Sequence, residues 1–211
     1  MKKVEMEKVL RGGDVSGTAC QFVARGRTMD DILAQAGQHA VADHGLTVTP
    51  ELVDAVKARV TTNPFEVAIH ARWPDMDQNG HMRTVAYLEV AEDSRMQYFS
   101  SRGYSMGSFV THRIGPVVSR DELQYRAELR LMDPAVVRLE LAGISPDGAR
   151  FRLRNTIVRV DGRTAATVTS TIGWLDLAER RLTTPPDDLR RLVADLPRTE
   201  DFAELPSLEP R

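Results

Sequence analysis

Residues 65–73 alternate between apolar and polar side chains, which predicts a strand with one buried face. The apolar positions are Phe65, Val67, Ile69, Ala71 and Trp73. The period then changes, because residues 82 to about 102 follow a helical pattern that ends at Gly103. A strand and one long helix therefore open the main part of the chain.

Four further strand-like segments follow the helix, near 114–129, 135–144, 150–160 and 163–175. Turn signals such as the Asp161-Gly162 pair separate them. One strand, one helix and four consecutive strands predict an α+β domain over residues 63–178, in which an antiparallel sheet wraps around the helix. Residues 179–211 are expected to add a short helix, from Pro186 to about Leu196, and a poorly ordered, Pro-rich and acidic end.

Residues 1–62 have a different pattern and predict a small α/β domain. Short strand-like pieces flank a Gly-rich turn at 11–14, and residues 20–24 have the pattern of a half-buried strand. Thr28 is a suitable N-cap for a helix that Gly45 ends. Thr49-Pro50 opens a second helix, because proline is tolerated at the first helical position.

Composition and charge narrow the classes of function. The 211 residues are 42% hydrophobic, and the formal net charge of −2 gives no field that would favour nucleic acid or an anionic membrane as a partner. No segment reaches the ~18 apolar residues of a membrane span, and the charged start lacks the apolar core of a signal peptide. The single cysteine, Cys20, excludes an internal disulfide and favours a cytoplasmic location.

The long helix carries a carboxylate on its predicted apolar face. At about 100° per residue, one narrow stripe contains Val85, Leu88, Met96 and Phe99, with Glu92 in its middle. A carboxylate in that position is costly unless it is paired, protonated or used in chemistry. An ion pair with an arginine such as Arg95 or Arg120 is one interpretation, and a direct catalytic role for Glu92 is the other.

The turn before this helix provides candidate chemistry. Asp75 and Asp77 lie between the strand and the helix, so a carboxylate comes next to the unpaired backbone N–H groups of the helix. This pairing suits acyl transfer, because the amides can stabilise an oxyanion and the carboxylate can attack the carbonyl or activate a water. The alternative for Asp77 is a turn or N-cap residue, and Asp75 is expected to form the turn.

These residues also carry a resemblance to a known family. The segment Asp75-Met-Asp77-Gln-Asn-Gly80-His81-Met82, followed by Tyr87-Leu88, Glu92 and Arg95, resembles the D-x-D-x-x-G-H-V/M-N turn and helix of the hotdog-fold acyl-CoA thioesterases of the 4-hydroxybenzoyl-CoA thioesterase type. The likeness covers residues 65 to about 178. It implies a hotdog fold and hydrolysis of an acyl-CoA to a free acid and CoA, with no cofactor required for catalysis.

The resemblance implies roles for individual residues. Asp77 would be the catalytic carboxylate, as a general base or as a nucleophile. The backbone amide of Thr84 would polarise the thioester carbonyl. Gly80, His81 and Glu92 would complete the site.

The resemblance also implies contacts outside the catalytic turn. Arg83 stands where many relatives have asparagine and could meet a phosphate of CoA. The open sheet edge predicts a homodimer or homotetramer, with residues of two subunits at each site. Four strand arginines either contact CoA phosphates or are simply solvated: Arg113, Arg120, Arg126 and Arg130.

The first 62 residues resemble a short bacterial family of unknown function described as predicted small metal-binding proteins. The matching segments are Gly12-Gly-Asp-Val15, Cys20-Gln-Phe22 and His39-Ala-Val-Ala-Asp-His44-Gly45. Gly12 stands where that family has a cysteine, so Cys20, His39 and His44 remain as zinc ligands, one fewer than a structural zinc site has. We therefore expect weak metal affinity at most, and the alternative is a helix-end histidine and a buried thiol.

Two classes of function follow from the sequence. The first is an acyl-CoA thioester hydrolase. The second is a non-catalytic acyl-CoA-binding, metal-sensing or partner-binding protein on a hotdog scaffold. The acyl group, aliphatic or aromatic, depends on side-chain packing that the sequence does not show.

Overall fold

The computed structural model describes residues 8–16, 20–26, 28–62 and 64–208, so the charged start and the last residues of the acidic end lie outside the described part. The described residues form two compact units that meet in the sequence at residue 63. Residues 179–208 belong to the second unit. None of the helices in the described ranges is long and apolar enough to cross a membrane.

The first unit is a three-stranded antiparallel sheet with helices packed on it. Its strands are β1 (Lys8–Arg11), β2 (Val23–Gly26) and β3 (Thr61–Thr62), in the order β2-β1-β3. Its helices are α1 (Gly12–Ser16), α2 (Met29–His44) and α3 (Pro50–Arg59). The buried core consists of Leu10, Ala24, Ile32 and Val56.

Both longer helices of this unit begin where the sequence predicts. Thr28 Oγ1 accepts from the N–H of Asp31 at 3.1 Å, and the Asp31 carboxylate accepts from the N–H of Thr28 at 2.9 Å, which closes a capping box at α2. Gly45 ends α2 in the left-handed conformation, at φ 63°. Thr49 caps α3, and Pro50 occupies its first position.

The Gly-rich stretch at 11–14 is not the turn that we predicted. Gly12 starts the short helix α1, and the next strand begins at Val23 instead of Cys20. Gly12 lies close to the cysteine, because a Cβ built at position 12 would be 2.6 Å from Cys20 Sγ. The N–H of Gly12 donates to Phe22 O at 2.8 Å. The absence of a side chain at Gly12 therefore allows this segment to pack closely against the segment of Cys20 and Phe22.

The second unit is a seven-stranded sheet wrapped around one long helix. Its strands are β4 (Phe65–His70), β5 (Ile114–Tyr125), β6 (Pro134–Ile144), β7 (Arg150–Arg159), β8 (Thr164–Asp176), β9 (Arg181–Thr183) and β10 (Arg198–Glu204). Its helices are α4 (Thr84–Ser101), α5 (Met106–Thr111) and α6 (Asp187–Ala194). All strand pairs are antiparallel except β10 with β6. The predicted α+β architecture is confirmed.

The sheet has the order β10-β6-β7-β8-β5, and β4 and β10 share one side of β6. β4 pairs with residues 134–139 of β6, and β10 pairs with the part from Leu141 to Ile144. β5 pairs with β8 and has no strand on its other side in the described chain. The sheet therefore presents a long open edge along β5.

α4 packs on the sheet with a face that differs from the predicted one. Its buried residues are Ala86, Tyr87, Ala91, Ser94, Arg95, Tyr98 and Phe99. Of the predicted stripe only Phe99 is buried, whereas Val85 is 45% exposed and Glu92 is exposed as well. The expected place of Glu92 on the packed face is therefore wrong. The alanines allow a close approach to the sheet, and the tyrosine rings supply apolar area that a count of aliphatic side chains misses.

Aromatic side chains fill the core beside the C-terminal half of α4. The ring centre of the buried Trp174 lies 5.0 Å from that of Phe151 and 5.9 Å from that of Phe99. Phe109 of α5 lies 6.3 Å from Trp174. α5 was not predicted, because so short a helix shows no periodicity that could reveal it.

The described part of the C-terminal segment, up to residue 208, contains the strand β10, so the disorder predicted for this part is wrong. β10 pairs with β6, and Leu205 after it is buried. Asp201 accepts two hydrogen bonds from the Arg154 guanidinium, at 2.8 and 2.9 Å. Tyr98 Oη donates to the carbonyl oxygen of Leu192 in α6 at 2.6 Å. The acidic composition suggested disorder, but the backbone of β10 and the carboxylate of Asp201 have partners in the second unit.

Candidate active site at the start of the long helix

The loop between β4 and α4 turns sharply before the helix. Its first part, Trp73–Asp75, is a 3-10 turn, and a β-bridge joins Met76 to Met82. Trp73 is 77% exposed, so its predicted burial on the strand is wrong. The strand ends at His70, and the proline after Trp73 has no N–H with which to continue the ladder.

Asp75 organises this turn and is 1% exposed. Its carboxylate accepts hydrogen bonds from Arg72, from the backbone N–H at 2.8 Å, from Nε at 2.9 Å and from Nη2 at 2.8 Å. These bonds hold the pKa of Asp75 below its ordinary value, against the effect of burial. Its carbonyl oxygen accepts from the N–H of Arg83 at 2.8 Å. Asp75 is fully engaged, in agreement with the turn-forming role expected for it.

Asp77 is the carboxylate of the turn that remains accessible. Its Oδ1 accepts from the N–H groups of Asn79 at 2.8 Å and His81 at 3.4 Å, and His81 Nδ1 lies 3.4 Å from Oδ2. Desolvation raises the pKa of Asp77, but these N–H groups and the nearby imidazole outweigh it and bring the pKa below its ordinary value. Asp77 is therefore ionised at neutral pH, with 28% of its side chain exposed.

Gly80 is required by the backbone of the turn. Its φ is 80°, a conformation that L side chains rarely adopt. Its N–H donates to the carbonyl oxygen of Asp77 at 3.2 Å, and the N–H of Asp77 donates to His81 O at 2.9 Å. Gly80 and His81 thus hold the shape of the turn around Asp77.

The N-terminus of α4 offers backbone N–H groups without partners. Arg83 is the N-cap residue, and its side chain makes no capping hydrogen bond. The N–H groups of Thr84 and Val85 donate to no group in the described part of the chain. Tyr125 Oη donates to the carbonyl oxygen of Thr84 at 3.2 Å and so ties the helix start to β5. Unpaired amides in a first helical turn attract negative charge.

The side chain of Arg83 has protein partners of its own. Its Nη2 lies 3.2 Å from both carboxylate oxygens of Glu89, and its Nε donates to the carbonyl oxygen of Pro74 at 3.2 Å. The sequence did not indicate this pair, because a separation of six residues is not a regular helical spacing. Contact of Arg83 with a CoA phosphate stays a prediction.

A buried network around Arg95 takes the place of the expected ion pair with Glu92. Arg95 Nε donates to Asn155 Oδ1 at 2.7 Å, and Asn155 Nδ2 donates to Ser94 Oγ at 2.8 Å. Within the described ranges neither Arg95 nor Glu92 takes part in an ion pair, and Arg95 Nη2 has no hydrogen-bond partner. Desolvation lowers the pKa of Arg95, and the negative charges of Asp121 and Glu92 oppose it. Asn155 was missed, although its place among the buried positions of β7 is a readable signal.

Three candidate metal ligands meet in the first unit. His39 Nε2 lies 3.2 Å from Cys20 Sγ and 3.1 Å from His44 Nε2, and the three ligand atoms lie within 4.8 Å of one another. His39 Nδ1 lies 2.7 Å from the Asp43 carboxylate, and its ring stacks on Phe22 at 4.0 Å. His44 is the last residue of α2, so the end of the helix brings both histidines together.

This donor set fits a zinc ion held by three protein ligands. Thiolate and imidazole are ligands that zinc prefers, and a carboxylate on the second nitrogen of a ligating histidine is a common outer contact. Gly12 lies beside Cys20 but has no side chain to add a fourth ligand. An apolar cavity of about 210 Å³ adjoins the cluster. A ligand from outside the protein would therefore fill the fourth coordination position of the zinc ion.

A sheet wrapped around one long helix is the hotdog fold that the sequence resemblance implies. A sequence model of the thioesterase-like superfamily matches residues 71–193, and the chain belongs to this superfamily. Residues 7–62 match a second model, described as a protein of unknown function. Both resemblances and the hotdog fold are confirmed.

Solved structures share the fold of the second unit. A hypothetical protein from Staphylococcus aureus in complex with CoA is 20% identical, with a TM-score of 0.60 over 69% of this chain and 96% of that one. A 1,4-dihydroxy-2-naphthoyl-CoA thioesterase from Synechocystis is 16% identical, with a TM-score of 0.57 over 63% and 96%. A DHNA-CoA thioesterase from Staphylococcus aureus is 18% identical, with a TM-score of 0.52 over 56% and 78%. At these identities the likeness establishes the fold.

Proposed function

We propose that this protein hydrolyses acyl-CoA thioesters. The observation that carries the proposal is an ionised, accessible Asp77 in the turn that leads to the unpaired N–H groups of Thr84 and Val85. Membership of the thioesterase-like superfamily supports it. Further support comes from similar structures, one of which holds CoA and another of which is named as an acyl-CoA thioesterase.

The N–H groups at the start of α4 and the Asp77 carboxylate would have different roles in the reaction. With the thioester carbonyl oxygen at the start of α4, the free N–H groups stabilise the negative charge that develops on this oxygen. Asp77 acts as a base that takes a proton from the attacking water, or as a nucleophile that forms an anhydride which water then hydrolyses. In both routes the C–S bond breaks, the CoA sulfur takes up a proton, and the free acid is released. Neither route requires a cofactor.

Release of CoA from a panel of aliphatic and aromatic acyl-CoA esters tests the proposal. Free thiol is measured against a protein blank, because Cys20 is itself a thiol. We expect turnover of at least one ester, and loss of this turnover when Asp77 is replaced. Binding of acyl-CoA without release of CoA would contradict the proposal and support the non-catalytic alternative.

The pH dependence of kcat/KM should reflect the lowered pKa of Asp77. Because its hydrogen bonds hold this pKa below the ordinary value of about 3.9, the carboxylate stays ionised as the pH falls towards that value. We expect kcat/KM to be level from neutral pH to about pH 5, with the midpoint of its acid limb below about pH 3.9. Initial rates, with circular dichroism to verify folding, measure the profile. An acid limb centred at about pH 6.5 would instead point to a histidine, His81 being the nearest to Asp77.

We also propose that the second unit forms a homodimer through the open edge of β5, alone or within a homotetramer. Exposed apolar side chains lie on β5 and at the start of α4, namely Val118, Tyr125 and Val85. A second copy that pairs with β5 would satisfy the free N–H and C=O groups of the edge and cover these side chains.

Val118→Lys is expected to shift this assembly to monomers, because it places a charge on the edge strand. Size-exclusion chromatography with light scattering measures the mass of each variant. Val160→Lys is the matched control, since Val160 is exposed beyond the end of β7 and away from the β5 edge. A wild-type monomer with full turnover would contradict both the dimer and a site shared between subunits.

For the first unit we propose weak zinc binding by Cys20, His39 and His44. Each missing protein ligand lowers metal affinity, and Gly12 leaves three. Elemental analysis of protein purified without added metal is expected to find clearly less than one zinc per chain, and Cys20→Ser should leave thioester turnover unchanged. Stoichiometric zinc that disappears in Cys20→Ser would show that three ligands form a strong site, and would favour a metal-sensing role.

A further inference from the structure

The face of the sheet opposite α4 carries a polar cavity. Because side chains alternate along a strand, residues 151, 153 and 155 of β7 are buried towards the helix, and 152 and 154 lie on the outer face. The cavity has a volume of about 520 Å³ and is lined by β5, β7 and β8, with Asp201 of β10 at its border. Asp77, Thr84 and Val85 do not line it, whereas Arg120 and Arg126, two of the arginines expected either to contact CoA phosphates or to be solvated, do.

Short side chains form the floor of this cavity and long ones form its walls. The floor consists of Thr167, Thr169 and Thr171 of β8. The strand register places Arg120 of β5 and Arg152 of β7 on either side of Thr171. Neighbouring strands are about 4.8 Å apart, so both guanidinium groups can reach the space above the Thr171 hydroxyl. We call these three residues the arginine–threonine row.

The cavity has an excess of positive charge. Its lining contains four arginines, Arg120, Arg126, Arg152 and Arg154. Two carboxylates, Glu122 and Asp201, oppose them, so two positive charges remain. The Asp201 carboxylate accepts two hydrogen bonds from Arg154 and so balances the charge of that arginine. Glu122 lies 3.4 Å from Arg120, and both side chains are mostly exposed, so this pair contributes little.

Arg152 differs from the other three arginines of the cavity, each of which donates a hydrogen bond to a neighbouring side chain. It is half-buried, and its guanidinium forms no hydrogen bond or ion pair with any residue that the structure describes. A guanidinium has five N–H donors, and those of Arg152 are available to a ligand. Within the arginine–threonine row, Arg152 thus presents donors that no described protein group uses.

We propose that the arginine–threonine row binds the phosphate groups of a small diphosphate-bearing ligand, such as a nucleoside diphosphate. A guanidinium matches two oxygens of a phosphate group with parallel N–H···O bonds. Two guanidinium groups with a hydroxyl between them suit two linked phosphates, one phosphate at each arginine. The volume of the cavity is that of a site for a small molecule.

Nearby charges favour a small ligand over a nucleic acid. Glu122 and Asp201 line the same cavity, and the protein as a whole has a formal charge of −2. A polynucleotide would bring further phosphates against these carboxylates. Edge pairing of β5 in a dimer would continue the sheet and leave its outer face open to a ligand.

Isothermal titration calorimetry of the full chain with pyrophosphate tests the site. The wild type is expected to bind, and Arg152→Gln and Arg120→Gln should each weaken binding by at least about tenfold, the effect of one charged hydrogen-bonding group. Arg120 is mostly exposed, so its replacement tests the site without risk to the fold. Arg59→Gln removes the same charge from an exposed position in the first unit and should leave the affinity unchanged.

Titrations with ADP and with CoA distinguish the source of the phosphates. If Arg152→Gln weakens CoA binding as it weakens pyrophosphate binding, the cavity holds the nucleotide end of CoA. If only pyrophosphate and ADP are affected, the cavity is a separate nucleotide site; both results support the phosphate site. Absence of pyrophosphate binding by the wild type, or equal weakening in Arg59→Gln, would overturn it. Calorimetry requires no turnover, so this outcome is independent of the proposed thioesterase activity.

Discussion

Replacing Asp77 with asparagine is expected to lower kcat for thioester hydrolysis by at least about a hundredfold. Asparagine keeps the shape of the side chain and can still accept the N–H of Asn79, but it can act neither as a base nor as a nucleophile. Asp77 is partly exposed and is bonded within its own turn, so the fold and the assembly should be retained. Steady-state rates, light scattering and thermal unfolding of the same preparations measure these effects.

Asp75→Asn is the matched control, because it makes the same change two residues earlier. Asp75 is buried and receives charged hydrogen bonds from Arg72, so its replacement should lower stability more than activity. We expect a loss of about 1–2 kcal/mol in the free energy of unfolding, since Arg72 can turn to solvent. Near wild-type turnover in Asp77→Asn would show that Asp77 only shapes the turn and has no catalytic role. A larger loss of turnover in Asp75→Asn would move the catalytic role to Asp75.

The turn around Asp77 could be predicted from the sequence because its contacts are local. The N–H of Gly80 bonds to Asp77 O, and the Asp77 carboxylate bonds to the N–H groups of the next few residues. The φ of 80° at Gly80 selects glycine whatever surrounds the turn. Spacing of residue types is therefore enough to identify such a motif.

The surroundings of the helix could not be predicted, because they depend on distant strands. Asn155 is 60 residues from Arg95, yet its amide oxygen is the acceptor for the Arg95 guanidinium. Asp201 is 47 residues from Arg154 and anchors the segment whose composition suggested disorder. A helical wheel places Glu92 on an apolar stripe, but only the sheet decides which face of the helix is buried.

The network around Arg95 gives the second large expected effect. Asn155 is fully buried, and it holds both Arg95 Nε and Ser94 Oγ. Asn155→Leu has similar volume but leaves a buried guanidinium, whose Nη2 already has no partner, without an acceptor at Nε as well. Loss of the acceptor of a buried, charged donor costs about 3 kcal/mol. We therefore expect a loss of that size in the free energy of unfolding, measured by urea titration at one protein concentration.

A second substitution separates the buried charge from the change of shape. Arg95→Met in the Asn155→Leu background removes the guanidinium and should restore most of the lost stability, because apolar side chains of similar volume can replace a buried polar pair at little cost. Thr156→Leu, on the outer face of β7, is the control and should change stability by about 0.5 kcal/mol or less. A loss of under about 1 kcal/mol in Asn155→Leu would contradict the expectation. Arg95 would then have found another acceptor, with Glu92 and Asp121 as the nearest charges, and Asn155 would not be what holds α4 on the sheet.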